Sequence, residues 1–197
     1  MALKSAKQIL RKEIKRRVAT LGDSEKERQS QIVTKKLLEC KEFKNSRRVS
    51  VFLSMSDEVM TQGILEHMLN KGYECFIPRY IGPKMDMVKL FSMQDYESLP
   101  ETSWKIKQPR DDDDRPEALA TGGLDLILMP GLGFTRDGAR LGRGKGYYDT
   151  YLARCQQQSG KVPCTIALAY YEQICESIPM SDHDKNVDLV LFEDKEA

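Results

Sequence analysis

The residue types best suited to chemistry are concentrated in one glycine-rich basic segment, PGLGFTRDGARLGRGKGYYD, which spans Pro130–Asp149. In its LGRGKG portion, glycines alternate with the two basic residues Arg143 and Lys145, and Arg140 precedes them. Glycines let successive backbone N–H groups approach an anion, and the N-terminus of a following helix adds its positive dipole. The basic side chains bring full positive charge to the same place. The segment therefore predicts a phosphate-binding loop.

Neither common nucleotide-binding signature fits this segment. A Walker loop needs Ser or Thr after its lysine, and Gly146 follows Lys145 here. No G-x-G-x-x-G can be placed, because the series that begins at Gly131 reaches Arg136 where its third glycine would stand. A nucleotide, if bound, is held by another construction, and a flexible solvated turn is the competing interpretation.

The charge balance and the absence of long apolar runs argue against several other classes of function. The chain has 31 Lys and Arg against 30 Asp and Glu, a net charge of +1, which gives no support to a general binder of nucleic acids or membrane surfaces. No apolar run approaches the roughly 18 residues needed to span a bilayer. Residues 4–17 are unusually basic, and they lack the apolar segment of a secretory signal. Five cysteines without a C-x-x-C pair predict reduced thiols in the cytoplasm and no structural zinc.

Helices and strands alternate along the chain and must position the loop. The predicted helices begin at Ser5, run from Asp23 to about Lys44, and cover Thr61–Lys71 and Tyr147–Gln157. The predicted strands are Arg48–Ser54, Tyr73–Pro78, Met85–Phe91, Leu124–Met129, Thr165–Ala169 and Val187–Phe192, and residues 92–122 are expected to be irregular. This alternation predicts an α/β fold with a largely parallel sheet that is covered on both faces.

In such sheets ligands bind at the carboxyl ends of the strands, so three junctions are candidate binding regions. They are Ser54–Glu58, Pro130–Tyr148 and Ala169–Gln173. The first helix has an apolar stripe that should dock on the sheet domain. Its members are Ile9, Leu10, Ile14 and Val18.

Several motifs together give the chain a specific resemblance. They are FLSMSDE (Phe52–Glu58), FIPRY (Phe76–Tyr80), MDMV (Met85–Val88), TSW (Thr102–Trp104), TGGLDLI (Thr121–Ile127) and the loop segment itself. With these blocks, which run from the first helix to the last strand, the chain resembles the animal form of the 5-formyltetrahydrofolate cyclo-ligase family, also called methenyltetrahydrofolate synthetases. The resemblance implies one domain, 1–197, folded as a three-layer Rossmann-like sandwich with a docked N-terminal helix.

The resemblance also implies a reaction. The family converts 5-formyltetrahydrofolate and ATP to 5,10-methenyltetrahydrofolate, ADP and phosphate, with Mg²⁺. The formyl oxygen attacks the γ-phosphate, and N10 of the folate then closes the ring as phosphate leaves. Such chemistry needs charge stabilisation, a metal and a slot for a flat pterin, but no covalent protein nucleophile. The lack of a Ser/His/Asp or Cys/His arrangement is consistent with it.

The family's functional residues carry over to positions that match here. The implied ATP contacts are Lys7, Gln8, Ile9, Leu10, Arg11, Arg140, Leu141, Gly142, Arg143, Gly144, Lys145, Gly146, Tyr147 and Tyr148. The implied folate contacts are Leu53, Glu58, Trp104, Arg143, Gly144, Lys145, Gly146 and Tyr147. The implied catalytic residues are Arg143, Lys145 and Tyr147, and the implied magnesium ligands are Asp149 and Asp184.

Several assignments have a structural alternative. Tyr147 and Tyr148 could pack in the core. Lys7 and Arg11 share a helix face that could be an ordinary solvated basic surface. Glu58 could simply be an acidic residue at a helix N-terminus.

Other choices also remain open at this point. Trp104 could serve packing, and Asp182 and Asp188 compete with Asp184 as metal ligands. The run Asp111–Asp114 is a solvated loop rather than a metal site, because consecutive residues do not converge on one ion. A nucleic-acid-binding module and a sugar-phosphate isomerase are the competing functions. We expect a cytoplasmic monomer that binds small molecules, and neither nucleic acid nor membrane.

Overall fold

The computed structural model describes residues 2–103, 105–181 and 184–194, so the predicted folate contact Trp104 lies outside the described residues. Eight strands are described: β1 (Arg48–Ser50), β2 (Glu74–Ile81), β3 (Lys84–Leu90), β4 (Leu126–Met129), β5 (Gly133–Phe134), β6 (Arg140–Leu141), β7 (Cys164–Leu168) and β8 (Leu189–Leu191). The α-helices are α1 (Ala2–Ala19), α2 (Asp23–Glu39), α3 (Lys41–Lys44), α4 (Gln62–Asn70), α5 (Met93–Ser98) and α6 (Tyr147–Ser159). Short 3₁₀ helices lie at Leu119–Thr121 and Tyr171–Gln173.

Six of the strands form the central sheet, in the order β3-β2-β1-β4-β7-β8. All neighbours are parallel except β2 and β3, which form an antiparallel hairpin at one edge. The hairpin turns at Gly82, whose φ of +56° suits glycine. The expectation of a largely parallel sheet is therefore confirmed.

Successive residues of the strands face opposite layers, as the period of two requires. One layer packs strand residues such as Val49 and Leu128 under the buried faces of α1, α2 and α4. The other packs Phe76, Ile127 and Ala167 against α6. Helices thus cover both faces, which confirms the three-layer sandwich.

The first strand lies where the strand order reverses. β1 has β2 on one side and β4 on the other, and both are parallel to it. The loops that leave the carboxyl ends of β1 and β4 therefore diverge and leave a crevice between them, the usual ligand site of open α/β sheets. These loops carry the predicted folate and phosphate residues, respectively.

Helix α1 docks as expected through three of the four predicted residues, since Ile14 and Val18 are buried and Leu10 packs against the core. Ile14 and Val18 are 0% and 2% exposed, and Ile14 lies so close to Gly133 that a side chain there would clash. Ile9, predicted to dock, is 65% exposed, so that prediction is wrong. At 100° per residue Ile9 lies about 140° around the helix from Ile14, whereas Lys7 and Arg11 share the docked side.

Several predicted boundaries also differ. α1 begins at Ala2, so Ser5 lies inside it and does not cap it. The second helix ends at Glu39, and a separate turn, α3, follows. The segment expected to be irregular contains α5, and the small antiparallel β5–β6 ladder was not predicted. None of the described helices is long and apolar enough to cross a membrane.

Candidate active site

The glycine-rich loop connects β6 to α6, and its backbone needs its glycines. Gly144 has a φ of +100° and Gly146 a φ of +71°, both in the left-handed region that other residues rarely adopt. Gly146 is also the N-cap of α6, so the loop runs straight into a helix N-terminus. This is the construction expected of an anion-binding loop.

Arg143 ties this loop to the segment after β1. Its Nη2 lies 2.6 Å from Oδ1 of Asp57 and 2.8 Å from Oε1 of Glu58. Desolvation opposes the charge of the guanidinium, but the two carboxylates more than offset it, and the pKa of Arg143 is raised. The predicted phosphate residue and the predicted folate residue are therefore in direct contact across the crevice.

Glu58 is held from several sides. Its side chain is 6% exposed, and its Oε2 accepts a 3.0 Å hydrogen bond from the backbone N–H of Met55. The hydroxyl of Tyr170 donates to its backbone carbonyl at 2.7 Å. Burial raises the pKa of Glu58, and the nearby Arg143 opposes that shift. Glu58 is thus an ordered acceptor in a dry position, rather than an exposed helix-end acid.

Arg140 anchors the base of the loop. Its guanidinium is 6% exposed, donates to Oδ2 of Asp149 at 2.9 Å and to the carbonyl of Pro130 at 3.2 Å. It also lies 5.8 Å from the centre of the Tyr148 ring. These contacts hold the first turn of α6 against the end of β4.

Lys7 reaches the segment that precedes β8. Its ammonium forms an ion pair with Oδ2 of Asp184, which also accepts from the backbone and the hydroxyl of Ser181. Desolvation opposes ionisation of Asp184, but these partners more than offset it and lower its pKa. The Asp184 carboxylate is thus held in a fixed orientation beside the basic face of α1.

Arg11 connects α1 to the glycine-rich loop. Its Nε donates a 2.9 Å hydrogen bond to the carbonyl of Gly142. A Cβ added at Gly144 would lie 3.6 Å from its guanidinium carbon, so the side chain lies along the loop. Gln8 and Ile9 are exposed and Leu10 packs beside the core, so the ATP contacts of those three residues stay predictions.

The remaining loop residues differ in environment. Lys145 is exposed and forms no ion pair or hydrogen bond with the described residues. The Tyr147 hydroxyl donates to the carbonyl of Gly82 at 2.9 Å, and its ring lies 4.9 Å from that of Tyr80. Tyr148 is buried, and burial raises its pKa well above 10. Core packing thus describes Tyr148 better than Tyr147.

Sequence reasoning did not single out two residues that the structure brings to this place. Tyr80 stands near the end of β2, and burial raises its pKa to about 12. Its only sequence signal was its position in the FIPRY motif. Asp57, whose only signal was its place in the FLSMSDE motif and the Ser54–Glu58 junction, pairs with Arg143. Leu53, a predicted folate contact, is 8% exposed and packs with the core.

The two predicted metal ligands have suitable chemistry. Oδ1 of Asp149 and Oδ1 of Asp184 accept no hydrogen bond from the described residues, which leaves one hard oxygen on each. Mg²⁺ usually takes one or two carboxylates and completes its shell with water and phosphate oxygens. No three His, Cys, Asp or Glu residues cluster as a metal site within the described ranges. Asp188, a competing candidate, accepts from the backbone and the hydroxyl of Thr165 through Oδ2 alone, so it too has one oxygen without a partner among the described residues.

Comparisons with known proteins agree over the whole chain. The profile of the 5-formyltetrahydrofolate cyclo-ligase family matches residues 3–193. A mouse (Mus musculus) 5-formyltetrahydrofolate cyclo-ligase is 52% identical over 199 residues, covering 100% of this chain and 98% of the mouse protein.

Two solved structures are similar. The NMR structure of Aquifex aeolicus 5,10-methenyltetrahydrofolate synthetase has a TM-score of 0.75 at 28% identity, covering 94% of this chain and 88% of that one. A 5,10-methenyltetrahydrofolate synthetase from Mycoplasma pneumoniae shares the fold, with a TM-score of 0.70 at 22% identity and coverage of 95% and 99%. The chain therefore belongs to the 5-formyltetrahydrofolate cyclo-ligase family and is an enzyme of that family.

Proposed function

We propose that this protein uses ATP to convert 5-formyltetrahydrofolate to 5,10-methenyltetrahydrofolate, with release of ADP and phosphate. The observation that carries the proposal is the 2.8 Å contact between Nη2 of Arg143 and Oε1 of Glu58. It joins the residue predicted to stabilise the phosphoryl group to the residue predicted to hold the folate. Family membership supplies the independent support.

The proposed reaction has two steps. The formyl oxygen attacks the γ-phosphorus of ATP, the bond to the β-phosphate oxygen breaks, and ADP leaves. N10 then attacks the carbon of the resulting imidate phosphate and loses its proton, while the formyl oxygen departs with phosphate. Every group that reacts belongs to a substrate, so the protein orients the substrates and stabilises charge.

Two basic residues share the charge that develops on the phosphoryl group. Arg143 can present a planar fork to two oxygens, whereas Lys145 acts as a mobile point charge. Because Lys145 has no partner among the described residues, its ammonium can turn to the substrate without breaking a protein contact. Removing one such donor from a dry site typically costs about 10²–10³ in kcat.

The pterin end of the folate fits the opposite wall of the crevice. Oε2 of Glu58, which accepts one hydrogen bond from the Met55 N–H, has room to accept another from the pterin amine or ring N–H. The Tyr80 and Tyr147 rings, 4.9 Å apart, supply an aromatic surface for a flat heterocycle. The Tyr147 hydroxyl bond to Gly82 fixes that ring in place.

The N-terminal helix completes the nucleotide end of the site. Lys7 and Arg11 carry positive charge along the glycine-rich loop and beside Asp184. When bound, Mg²⁺ would neutralise charge on the phosphate chain, and Asp149 and Asp184 are the residues proposed to hold it. Both carboxylates are oriented by fixed basic neighbours before any substrate arrives.

The direct test is the absorbance of the methenyl product. The purified protein is mixed with ATP, Mg²⁺ and 5-formyltetrahydrofolate, and each component is then omitted in turn. We expect the product band only in the complete mixture, and ADP formed in equal amount. ATP consumption without the folate, or product without ATP, would contradict the proposal. Nucleic-acid binding or sugar-phosphate isomerisation would give no methenyl band.

The proposal includes a single-domain monomer that works in the cytoplasm and binds neither nucleic acid nor membrane. All five cysteines are free thiols, as a reducing compartment favours. The near-zero net charge gives no basis for nucleic-acid or membrane binding. Light scattering after gel filtration tests the monomer, where a mass near 22.6 kDa is expected. Cell fractionation tests the compartment.

A further inference from the structure

Most of the hydrogen-bond donors of Arg143 are already in use. Its Nε and Nη2 donate to Oε1 of Glu58 at 3.2 and 2.8 Å. Its Nη1 and Nη2 donate to Oδ2 and Oδ1 of Asp57 at 3.2 and 2.6 Å. A guanidinium has five N–H donors, and these contacts use four of them.

A phosphoryl group requires more than the one donor that is left. The favoured contact of arginine with phosphate is a fork of two parallel N–H bonds. Arg143 can form such a fork only if Asp57 or Glu58 gives up its hydrogen bonds to the guanidinium. The arrangement of Arg143 with both carboxylates is therefore different from the one that binds the phosphate chain.

The two carboxylates differ in how firmly they are held. The Glu58 side chain is 6% exposed and has a second anchor in the backbone N–H of Met55. The Asp57 side chain is 29% exposed, and within the described ranges its carboxylate accepts only from Arg143. Returning the exposed carboxylate to water costs far less than stranding the buried one.

We propose that Asp57 is a displaceable counter-ion of Arg143, which the phosphate chain of the nucleotide replaces when it binds. The proposal rests on the function proposed above, since it takes a nucleotide as the ligand of Arg143. Asp57 holds the guanidinium over the crevice until the nucleotide binds. Glu58 keeps its contact with Arg143 throughout, so the arginine turns about a fixed partner.

This role predicts a change in nucleotide affinity opposite in direction to that expected for a purely structural residue. The Asp57 carboxylate competes with the phosphate chain for the same donors, and its negative charge repels that chain once displaced. Both effects weaken nucleotide binding. A protein with a neutral residue at this position should therefore bind the nucleotide more tightly. If Asp57 only supported the structure, its replacement would weaken nucleotide binding instead.

The experiment measures ligand dissociation constants for the wild-type protein and Asp57→Asn by calorimetry. The probes are ATP and inorganic tripolyphosphate, which has the charge but no base. We expect both dissociation constants to fall about threefold or more, and the folate KM to change little. Glu39→Gln is the matched control, because it removes one carboxylate at the exposed C-terminal end of α2, which leads to the amino end of β1. It should leave both constants unchanged.

Unchanged or weaker binding of both probes to Asp57→Asn would overturn the proposal, as would equal tightening in the Glu39→Gln control. Asp57→Ser, which keeps a small polar side chain, guards against a folding defect, and its thermal midpoint is compared with that of the wild type. The methenyl assay of the wild type separates the two proposals. A wild type that forms product while Asp57→Asn binds no tighter defeats only the role of Asp57, and a wild type without product defeats the proposed function itself.

Discussion

Nε of Arg11 and the carbonyl oxygen of Gly142 are 2.9 Å apart, although 131 residues separate them in the chain. The contact places the basic side of α1 along the loop that precedes α6. It distinguishes a helix that belongs to the site from a basic face that only meets solvent.

Replacing Arg11 with Ala should raise the KM for ATP severalfold, because a hydrogen bond to a charged group is worth about 1.5–3 kcal/mol before screening. The folate KM should move much less. Steady-state kinetics with each substrate varied in turn provide the measurement. Arg16, exposed on the same helix and off the docked side, gives the control Arg16→Ala. Equal effects of the two changes would mean that α1 contributes only general charge.

Arg143→Ala should lower kcat by about 10²-fold or more, while folate binding changes far less. The reason is that the proposed contact strengthens as charge builds on the transferred phosphoryl group. Single-turnover kinetics separate this step from product release. Arg136→Ala removes an arginine that is 61% exposed and pairs with Asp194, and its rate should stay near that of the wild type. Near-normal turnover of Arg143→Ala would remove it from the catalytic residues.

Asp184→Asn should raise the Mg²⁺ concentration needed for half-maximal activity without unfolding the protein. One oxygen of Asp184 is occupied by Lys7 and Ser181, and the amide would weaken the oxygen left for the metal. A Mg²⁺ titration of activity is the measurement, with the thermal midpoint as the check on folding. If the Mg²⁺ requirement does not change, the metal role passes to Asp182, which lies outside the described residues, or to Asp188.

The stability of the protein should depend on pH through Glu58. Burial raises the folded-state pKa of this carboxyl above its unfolded value of about 4.3. The protonated Glu58 carboxyl therefore makes its full contribution to the free energy of unfolding below that unfolded pKa. This contribution is lost as pH rises through the raised folded-state pKa. Glu58→Gln removes this titration. The free energy of unfolding of the variant, minus that of the wild type, should rise as pH is raised above about 4.3 in urea titrations. A difference that is flat with pH would contradict the shifted pKa.

Gly146→Ala should cost about 1–2 kcal/mol of stability, because its φ of +71° is unfavourable for a residue with a Cβ. No neighbouring atom lies within 4 Å of an added Cβ, so the cost comes from the backbone and not from a clash. Asn tolerates this region better, and Gly146→Asn should recover part of the loss. Chemical denaturation of the wild type and of both variants measures the three free energies of unfolding. Equal losses in both variants would argue for another cause.

The parts of the fold that the sequence predicted are those with local signals. The apolar runs predicted the strands of the sheet, and the glycine spacing in LGRGKG predicted the loop before α6. Ser92 caps α5 by accepting from the backbone N–H of Asp95, and the Asp95 carboxylate accepts from the N–H of Phe91. This local signal is hard to see because prolines and an acidic run surround the segment. The β5–β6 ladder has two residues in each strand, too few for a period to be visible.

The partners of the charged side chains could not be predicted from spacing. The basic face of α1 was visible in the sequence, yet nothing local indicates that Lys7 pairs with Asp184. The same holds for Arg143 and Asp57, which are 86 residues apart. Such pairs are fixed by the topology of the sheet, which brings the ends of β1 and β4 together. Ile9 was assigned to the docked face because it is apolar, although its angular position is wrong.

The order in which the chain is synthesised bears on how α1 comes to its place. Three contacts that fix this first helix are made to residues that come late: Gly133, Gly142 and Asp184 all lie in the last third of the 197 residues. During synthesis on the ribosome, the apolar side of the helix therefore stays exposed until most of the protein has emerged. We expect α1 to dock among the last events of folding, since contacts so distant along the chain carry the largest loop-closure cost. Nascent chains arrested before residue 184 should then expose α1 to proteases even after the strands have paired.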